Sequence, residues 1–251
     1  MNEPRVPRIF ATDRRALRFR RARTAQHEKQ AAHYLYDDMI EDVLDRLDFM
    51  RADSGRASVI GDPTGALAPT LAGRGFDACT EEPDTIDEEA PWPGEPRDLI
   101  VSLETLGTLN DLPGALIHAR GALKDGGLYM AQMLGAGSVP TLRRIMLAAD
   151  GDNPAARTHP QVDNRSAAAL LQRAGFAKQV VDSRSLTVRF SSFERLIGDL
   201  RDQGLTGVLA DRPPPLSKSA LQRARQAFDA LRDEDGKVSE TFEILALTGW
   251  R

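Results

Sequence analysis

The turn Gly61-Asp62-Pro63-Thr64-Gly65 is the stretch of this chain best suited to hold a ligand. It follows the β-branched pair Val59-Ile60 and precedes a short helical pattern that stops at Gly73 and Gly75. Strand, glycine turn and helix together form the opening of a nucleotide-binding α/β unit. Glycines let the backbone approach a ligand closely, and the helix start offers free N–H groups and a positive dipole end. The dinucleotide fingerprint G-x-G-x-x-G is not met, because Pro63 has no N–H and a φ fixed at about −65°. In such folds an acid after the second strand accepts hydrogen bonds from ribose hydroxyls. Glu81 or Glu82 is placed for that; the other reading of residues 81–89 is a solvated acidic loop.

Other chemistries find little support. Four histidines and one cysteine leave no zinc cluster, and no two-histidine, one-carboxylate set is apparent for oxygen chemistry. Asp37, Asp38, Glu41, Asp42, Asp45 and Asp48 crowd one stretch, but on a helix most of them are expected to face water instead of gathering round a metal. A net charge of −4 argues against a general nucleic-acid binder. Cys79 stands alone and forms no internal disulfide, which fits a reducing cytoplasm. No apolar run approaches the roughly 20 residues needed to span a bilayer, and no secretory h-region follows the N-terminus.

The elements that must position the turn can be read from pattern. With 251 residues and 41% hydrophobic content, one large α/β core is expected. Arg5, Arg8, Arg14, Arg15, Arg18, Arg20, Arg21 and Arg23 open the chain. They read either as a solvated basic helix or as a dock for an acidic partner, a phosphate or an anionic membrane; Glu3 and Asp13 oppose a targeting peptide. Leu35, Met39, Ile40, Val43, Leu44 and Leu47 give an apolar stripe to a helix from about Glu28 to Met50. Strands are expected near residues 76–80, 98–103 and 128–133. Between the last two lies a helix capped by Asp111, with Pro113 in its first turn. Further helices are read at 141–149, from Asp163 or Asn164 to Ala174, at 193–203 and at 217–232, with strands at 179–190 and 241–250. The order implies a parallel sheet closed by an antiparallel edge. Residues 1–50 form a helical extension packing on the core. Residues 51–251 form the main domain, with a helical insertion at about 134–175.

The turn resembles the D/E-x-G-x-G-x-G loop of class I S-adenosylmethionine (SAM) dependent methyltransferases. Gly61 and Gly65 take the first and third glycines, with Pro63 at the second and Val59 at the leading acid. Nearly the whole chain resembles the methyltransferase-like branch that holds the biotin-synthesis malonyl-carrier-protein methyltransferase. Within it, the likeness is to the alphaproteobacterial and mitochondrial respiratory complex I assembly-factor subgroup, whose mitochondrial member is linked to arginine hydroxylation. The likeness is carried by Arg8-Ile9-Phe10 with the arginine run, by residues 32–36 and 45–47, and by Asn110 to Leu116 and Leu123 to Gly127. Residues 141–143, 174–176 and 244–250 follow in order. Gly107-Thr108 stand where the subgroup commonly has a His-Trp pair, and the stretch between Cys79 and Asp98 is too short for the usual helix, third strand and loop.

The resemblance implies a Rossmann-like class I methyltransferase fold, mostly parallel with an antiparallel last strand, shortened at the edge between the family's second and fourth strands. It implies SAM as cofactor, held by Gly61, Asp62, Thr64 and Gly65, with Glu81 on the ribose and Ser102 and Leu103 as the far wall. A methyl acceptor near residues 133–141 would meet Arg143, able to grip a carboxylate, and His159, able to act as a base. That acceptor would be a small carboxylate, a carrier-bound acyl group or a protein side chain. No residue is assigned a catalytic role. The alternative is a non-catalytic assembly factor or chaperone, with a complex I subunit as partner. An enzyme should leave a pocket open over Gly61 to Gly65; a scaffold should fill it with Pro63 or the Pro91–Pro96 loop.

Overall fold

A computed structural model of the chain describes residues 8–28, 30–82 and 85–251. Glu3, Arg5, Pro83 and Asp84, which entered the sequence reading, lie outside the described residues. Two helices lead, α1 (Thr12–Ala25) and α2 (Tyr34–Met50). Then come β1 (Gly55–Ile60), α3 (Leu67–Gly73), β2 (Phe76–Glu81), β3 (Arg97–Leu103), α4 (Leu112–Gly121) and β4 (Leu123–Leu134). The second half holds α5 (Pro140–Asp150), α6 (Asn164–Arg173), β5 (Ala177–Phe190), α7 (Phe193–Asp202), α8 (Lys218–Asp229) and β6 (Val238–Trp250).

The six strands form one sheet in the order β2-β1-β3-β4-β6-β5. Pairings among β2, β1, β3 and β4 are parallel; β6 runs antiparallel to both β4 and β5. Helices cover both faces, so β3 reads as an unbroken apolar run. Leu99, Val101 and Leu103 join one core with α2, α3, α5, α7 and α8, while Ile100 joins the other with α4 and α6. Each such side chain contributes about 1.5–3 kcal/mol by full burial. Asp111 caps α4 through Gly114 N (2.9 Å) and Asp163 caps α6 through Ser166 N (2.7 Å).

Among the described residues no helix lies between β2 and β3. Pro91, Pro93 and Pro96 interrupt helical bonding there, and the loop instead buries Ile86 and Glu88. Two sequence expectations need adjustment. The second helix begins at Tyr34, not Glu28, because Gln26 Nε2 reaches Ala32 O and Asp202 O and pins a turn. β4 starts five residues early, its register shifting between Arg97 and Leu99 of β3, with Gly126 at φ 78°. The expected antiparallel edge is present: β5 is outermost and the last strand, β6, lies one place inside it. On α2, Asp37, Glu41, Asp45 and Asp48 face water as expected, whereas Asp38 and Asp42 turn toward Arg184 of β5, and Asp42 also accepts from Gln132 Nε2 (2.7 Å). No described helix is long and apolar enough to cross a membrane.

Candidate functional site

Parallel strands β1 and β3 end side by side, which sets their following loops at the edge where open α/β sheets bind ligands. Gly61 ends β1 with φ 83°, and a β-carbon there would overlap the Leu103 carbonyl oxygen and the Thr105 methyl. Its glycine is therefore required by a crossing of the chain over itself. Asp62 is buried, and its carboxylate accepts from Thr64 N (2.9 Å), Thr64 Oγ1 (2.5 Å) and Leu67 N (2.9 Å). It is spent on shaping the turn into α3. Gly65 (φ 69°) has open space on its side-chain face and lines a cavity of about 210 Å³ with Thr64, Thr80 and Glu82, roofed by Phe19 and Arg23 of α1.

At the end of β2, Glu81 is taken up by the protein itself. Its carboxylate lies 3.3 Å from Arg97 Nη2 and 3.4 Å from Ser58 Oγ, and Arg97 also donates to Ser58 Oγ (3.2 Å) and Pro93 O (2.9 Å). Glu82 pairs with Arg23. Leu103 is fully buried in the core. Ser102 Oγ meets Thr105 Oγ1 (2.6 Å), which donates to Glu88 Oε1 (2.6 Å). Glu88 in turn pairs with Arg15 of α1, whose Nε donates to Thr108 Oγ1 (3.2 Å). Glu88 is 2% exposed and Arg15 7%. A chain of five side chains from β3, the segment after it, the β2–β3 loop and α1 thus closes the crevice over Gly61. The space left there is about 20 Å³, room for roughly one water.

Beyond Leu103, Glu104 holds a left-handed φ of 55° and accepts from Leu134 N (2.7 Å). Burial pushes its carboxyl up, opposed by the charge of Arg18. Glu104 and Arg18 border a second small cavity, about 80 Å³, with His159, Gln161, Leu142 and Leu200. His159 Nε2 accepts from Val208 N (2.9 Å), and its ring stands edge-on to Phe10. Burial, with the charge of Arg18, lowers its pKa to about 4, so it is neutral at pH 7. Arg143 is exposed and meets Gln161 Oε1 (3.2 Å). Of the two expected acceptor residues, His159 lines the small cavity, and Arg143 is linked to it through Gln161.

In this arrangement the residues expected to hold SAM are partly engaged by the protein itself, while the cavity of about 210 Å³ beside Gly65 stays open. A nucleoside needs a free acid and a slot beside it, but Glu81 is engaged by Arg97 and the Arg15–Glu88–Thr105 chain fills the space between the ends of β1 and β3. The filler is neither Pro63 nor the Pro91–Pro96 loop but α1. Sequence reasoning missed Arg15, Glu88 and Thr105 as site residues. One signal was present: Arg15, Phe19 and Ala22 recur at helical spacing and form the buried face of α1. Among the described residues no group of acids, histidines and cysteine gathers as a metal site.

The family model described as a methyltransferase domain matches residues 29–181, more than half of the chain. Among curated proteins, the mouse (Mus musculus) mitochondrial arginine-hydroxylase NDUFAF5 is 29% identical over 170 residues, 66% of this chain and 50% of that protein. The malonyl-acyl-carrier-protein O-methyltransferase of Gallionella capsiferriformans is 29% identical over 178 residues, 70% of this chain and 60% of that protein. The chain therefore spans half to three fifths of the length of these relatives. A solved structure from Bacillus halodurans C-125, assigned to the methyltransferases, superposes with a TM-score of 0.51 at 13% identity, covering 82% of this chain and 97% of the other. That likeness concerns the fold.

Proposed function

We propose, from the premise that this chain belongs to the methyltransferase domain family, that its domain works as a binding scaffold whose cofactor crevice is held shut by α1. In this reading residues 1–50 are an extension that closes the crevice, and residues 51–251 are the methyltransferase-like domain, with its helical insertion at about 134–175. The observation that carries the proposal is the buried Arg15–Glu88–Thr105 chain standing where a nucleoside would lie. The partner under this reading is a protein client; the family resemblance points to a respiratory complex I subunit. The exposed, unpaired Cys79 supports a reducing compartment such as the cytoplasm.

A second reading is favoured by the cavity of about 210 Å³ over Asp62 to Gly65 and by the O-methyltransferase relative. It makes the chain a SAM-dependent methyltransferase, with Gly61, Asp62, Thr64, Gly65, Glu81, Ser102 and Leu103 on the cofactor. Arg143 and His159 would then face a small-molecule or protein acceptor. Such a site would first have to release Glu81 and Arg15.

Thermal unfolding with SAM or S-adenosylhomocysteine separates the two. A ligand at a hundred times its Kd adds about 2.7 kcal/mol, which in a chain of this size raises Tm by roughly 5–10 °C. The expected result is no shift at millimolar ligand. A shift of that size, abolished by Gly65→Asp, overturns the scaffold reading and installs the enzymatic one.

A further inference from the structure

The outer face of α1 carries a second feature, joined to the crevice through Arg18. Arg14, Leu17, Arg18 and Arg21 recur at helical spacing along a stripe beside the buried Arg15–Phe19–Ala22 face. Arg201 from the end of α7 and Arg212 from the segment after it face the same stripe. Together they line a groove of about 400 Å³. A neighbouring cavity of about 410 Å³ continues it, sharing Arg14, Gly207 and Arg212 and walled by the rigid run Pro213-Pro214-Pro215. Among the described residues no aspartate or glutamate lines either one, in a chain whose net charge is −4. Asp13 and Asp211 neighbour the groove in sequence but lie outside its lining.

The charges of this groove are largely unspent. Among the described residues Arg21, Arg201 and Arg212 make no side-chain hydrogen bond or ion pair. Arg18 donates to Thr206 O (3.3 Å) and Thr108 Oγ1 (3.4 Å) and has the charge of Glu104 against it, whereas Arg14 is aimed by the carbonyls of Leu209 and Ala210. A carbonyl orients a guanidinium without neutralising it. Arg157, in the adjoining cavity, is by contrast neutralised by Asp150 (2.6 Å). Leu17, 39% exposed, supplies an apolar foothold between the arginines.

We propose that this groove docks an extended acidic segment of a partner protein, with carboxylates on Arg14, Arg21, Arg201 and Arg212 and one apolar side chain over Leu17. Guanidinium forks match carboxylates in bidentate geometry. A nucleic acid fits less well, because the cationic strip is short and the surrounding molecule is acidic. A bilayer fits less well too, because the charges line a concave groove with a single exposed apolar residue. The proposal rests on the scaffold reading for its purpose, although of the groove's described lining only Arg18 also borders the crevice.

The test uses the full chain and a fluorescent oligo-glutamate peptide carrying one central leucine, followed by anisotropy. The comparison protein is Arg21→Glu/Arg212→Glu, with Arg21→Gln/Arg212→Gln as a milder second variant; circular dichroism confirms that each is folded. Binding should weaken about tenfold or more in the charge-reversed variant. It should also fall steeply as salt rises from about 0.1 M to 1 M, where the screening length shrinks from about 10 Å to 3 Å. The matching oligo-lysine should not bind. No peptide binding at low salt, or equal binding by either folded variant, overturns the proposal. So does tighter binding to oligo-dT or to phosphatidylserine vesicles. The SAM titration is read separately. A SAM shift with peptide binding intact overturns the scaffold reading alone; no shift and no peptide binding overturns the groove alone.

Discussion

Arg15 is the residue on which the closed crevice depends. Its guanidinium and the Glu88 carboxylate are both withdrawn from water, and each is the other's only counter-charge among the groups that bond them. Removing one partner leaves the other charge buried and uncompensated, which costs about 3–5 kcal/mol, whereas replacing both with neutral side chains of similar volume costs far less. Arg15→Ala should therefore lose stability of that order in urea unfolding, and Arg15→Met/Glu88→Gln should recover most of it. If Arg15→Ala costs under about 1 kcal/mol, the pair is solvated like a surface bridge and closes nothing. His159 yields a prediction of the other sign. Its pKa falls from 6.5 unfolded to about 4 folded, so the folded state disfavours the proton. The stability it contributes is complete above pH 6.5 and is lost as pH falls through 4, amounting to about 2–3 kcal/mol. The carboxyls of Glu104 and Glu240, raised by burial, slope the opposite way. The informative quantity is thus the difference between wild type and His159→Gln, which should flatten the loss between pH 6.5 and 4.

At the scale of elements, the helix α5 is held to the sheet by one buried acid. Glu240 of β6 is fully buried and accepts from Thr141 N (3.1 Å) and Leu142 N (2.6 Å) at the start of α5. Those amides have no other partner in their own helix. Glu240→Ala should cost about 3 kcal/mol by leaving them orphaned, with Glu240→Gln losing less; unfolding midpoints in urea at constant m-value read both. The same region shows what a sequence can reveal. The runs in β1 and β3 and the caps Asp111 and Asp163 are legible because local pattern and tertiary role agree. The early starts of β4 and β6 are not, since Lys124, Asp125 and Gly126 look like a turn and become strand only through pairing and a register shift. Glu88 is the hardest case. Inside the acidic stretch 81–89 it reads as solvated, and only the distant Arg15, 73 positions away, makes its burial tolerable. The candidate site was legible as a place, through Gly61 and Gly65, but not as a state, because what closes it comes from another part of the chain.

For the molecule as a whole, the question is how firmly α1 is attached. β3 lies in the middle of the sheet with apolar cores on both faces. The helix α1 buries only Phe19 and Ala22 as apolar residues; the rest of its attachment is polar, through Arg14 to the 209–210 backbone, Arg15 to Glu88 and Arg18 to Thr206. Polar ties exchange readily for water, so the opening of α1 should cost less than global unfolding, whereas amides of β3 and β4 should need nearly the whole. Hydrogen exchange should accordingly show α1 amides exchanging at least about tenfold faster than those of β3 and β4. It should also show them slowed when the acidic peptide occupies the Arg14–Arg21 stripe, because a ligand that binds only the closed state adds its binding free energy to the cost of opening. If α1 and β3 instead exchange together, α1 is part of the global folding unit and the crevice has no low-cost open state. A cofactor could then enter only by unfolding the domain, and the enzymatic reading would lose its route to a bound methyl donor. If α1 exchanges early but the peptide leaves its rate unchanged, the closure is mobile and the basic stripe is not what governs it.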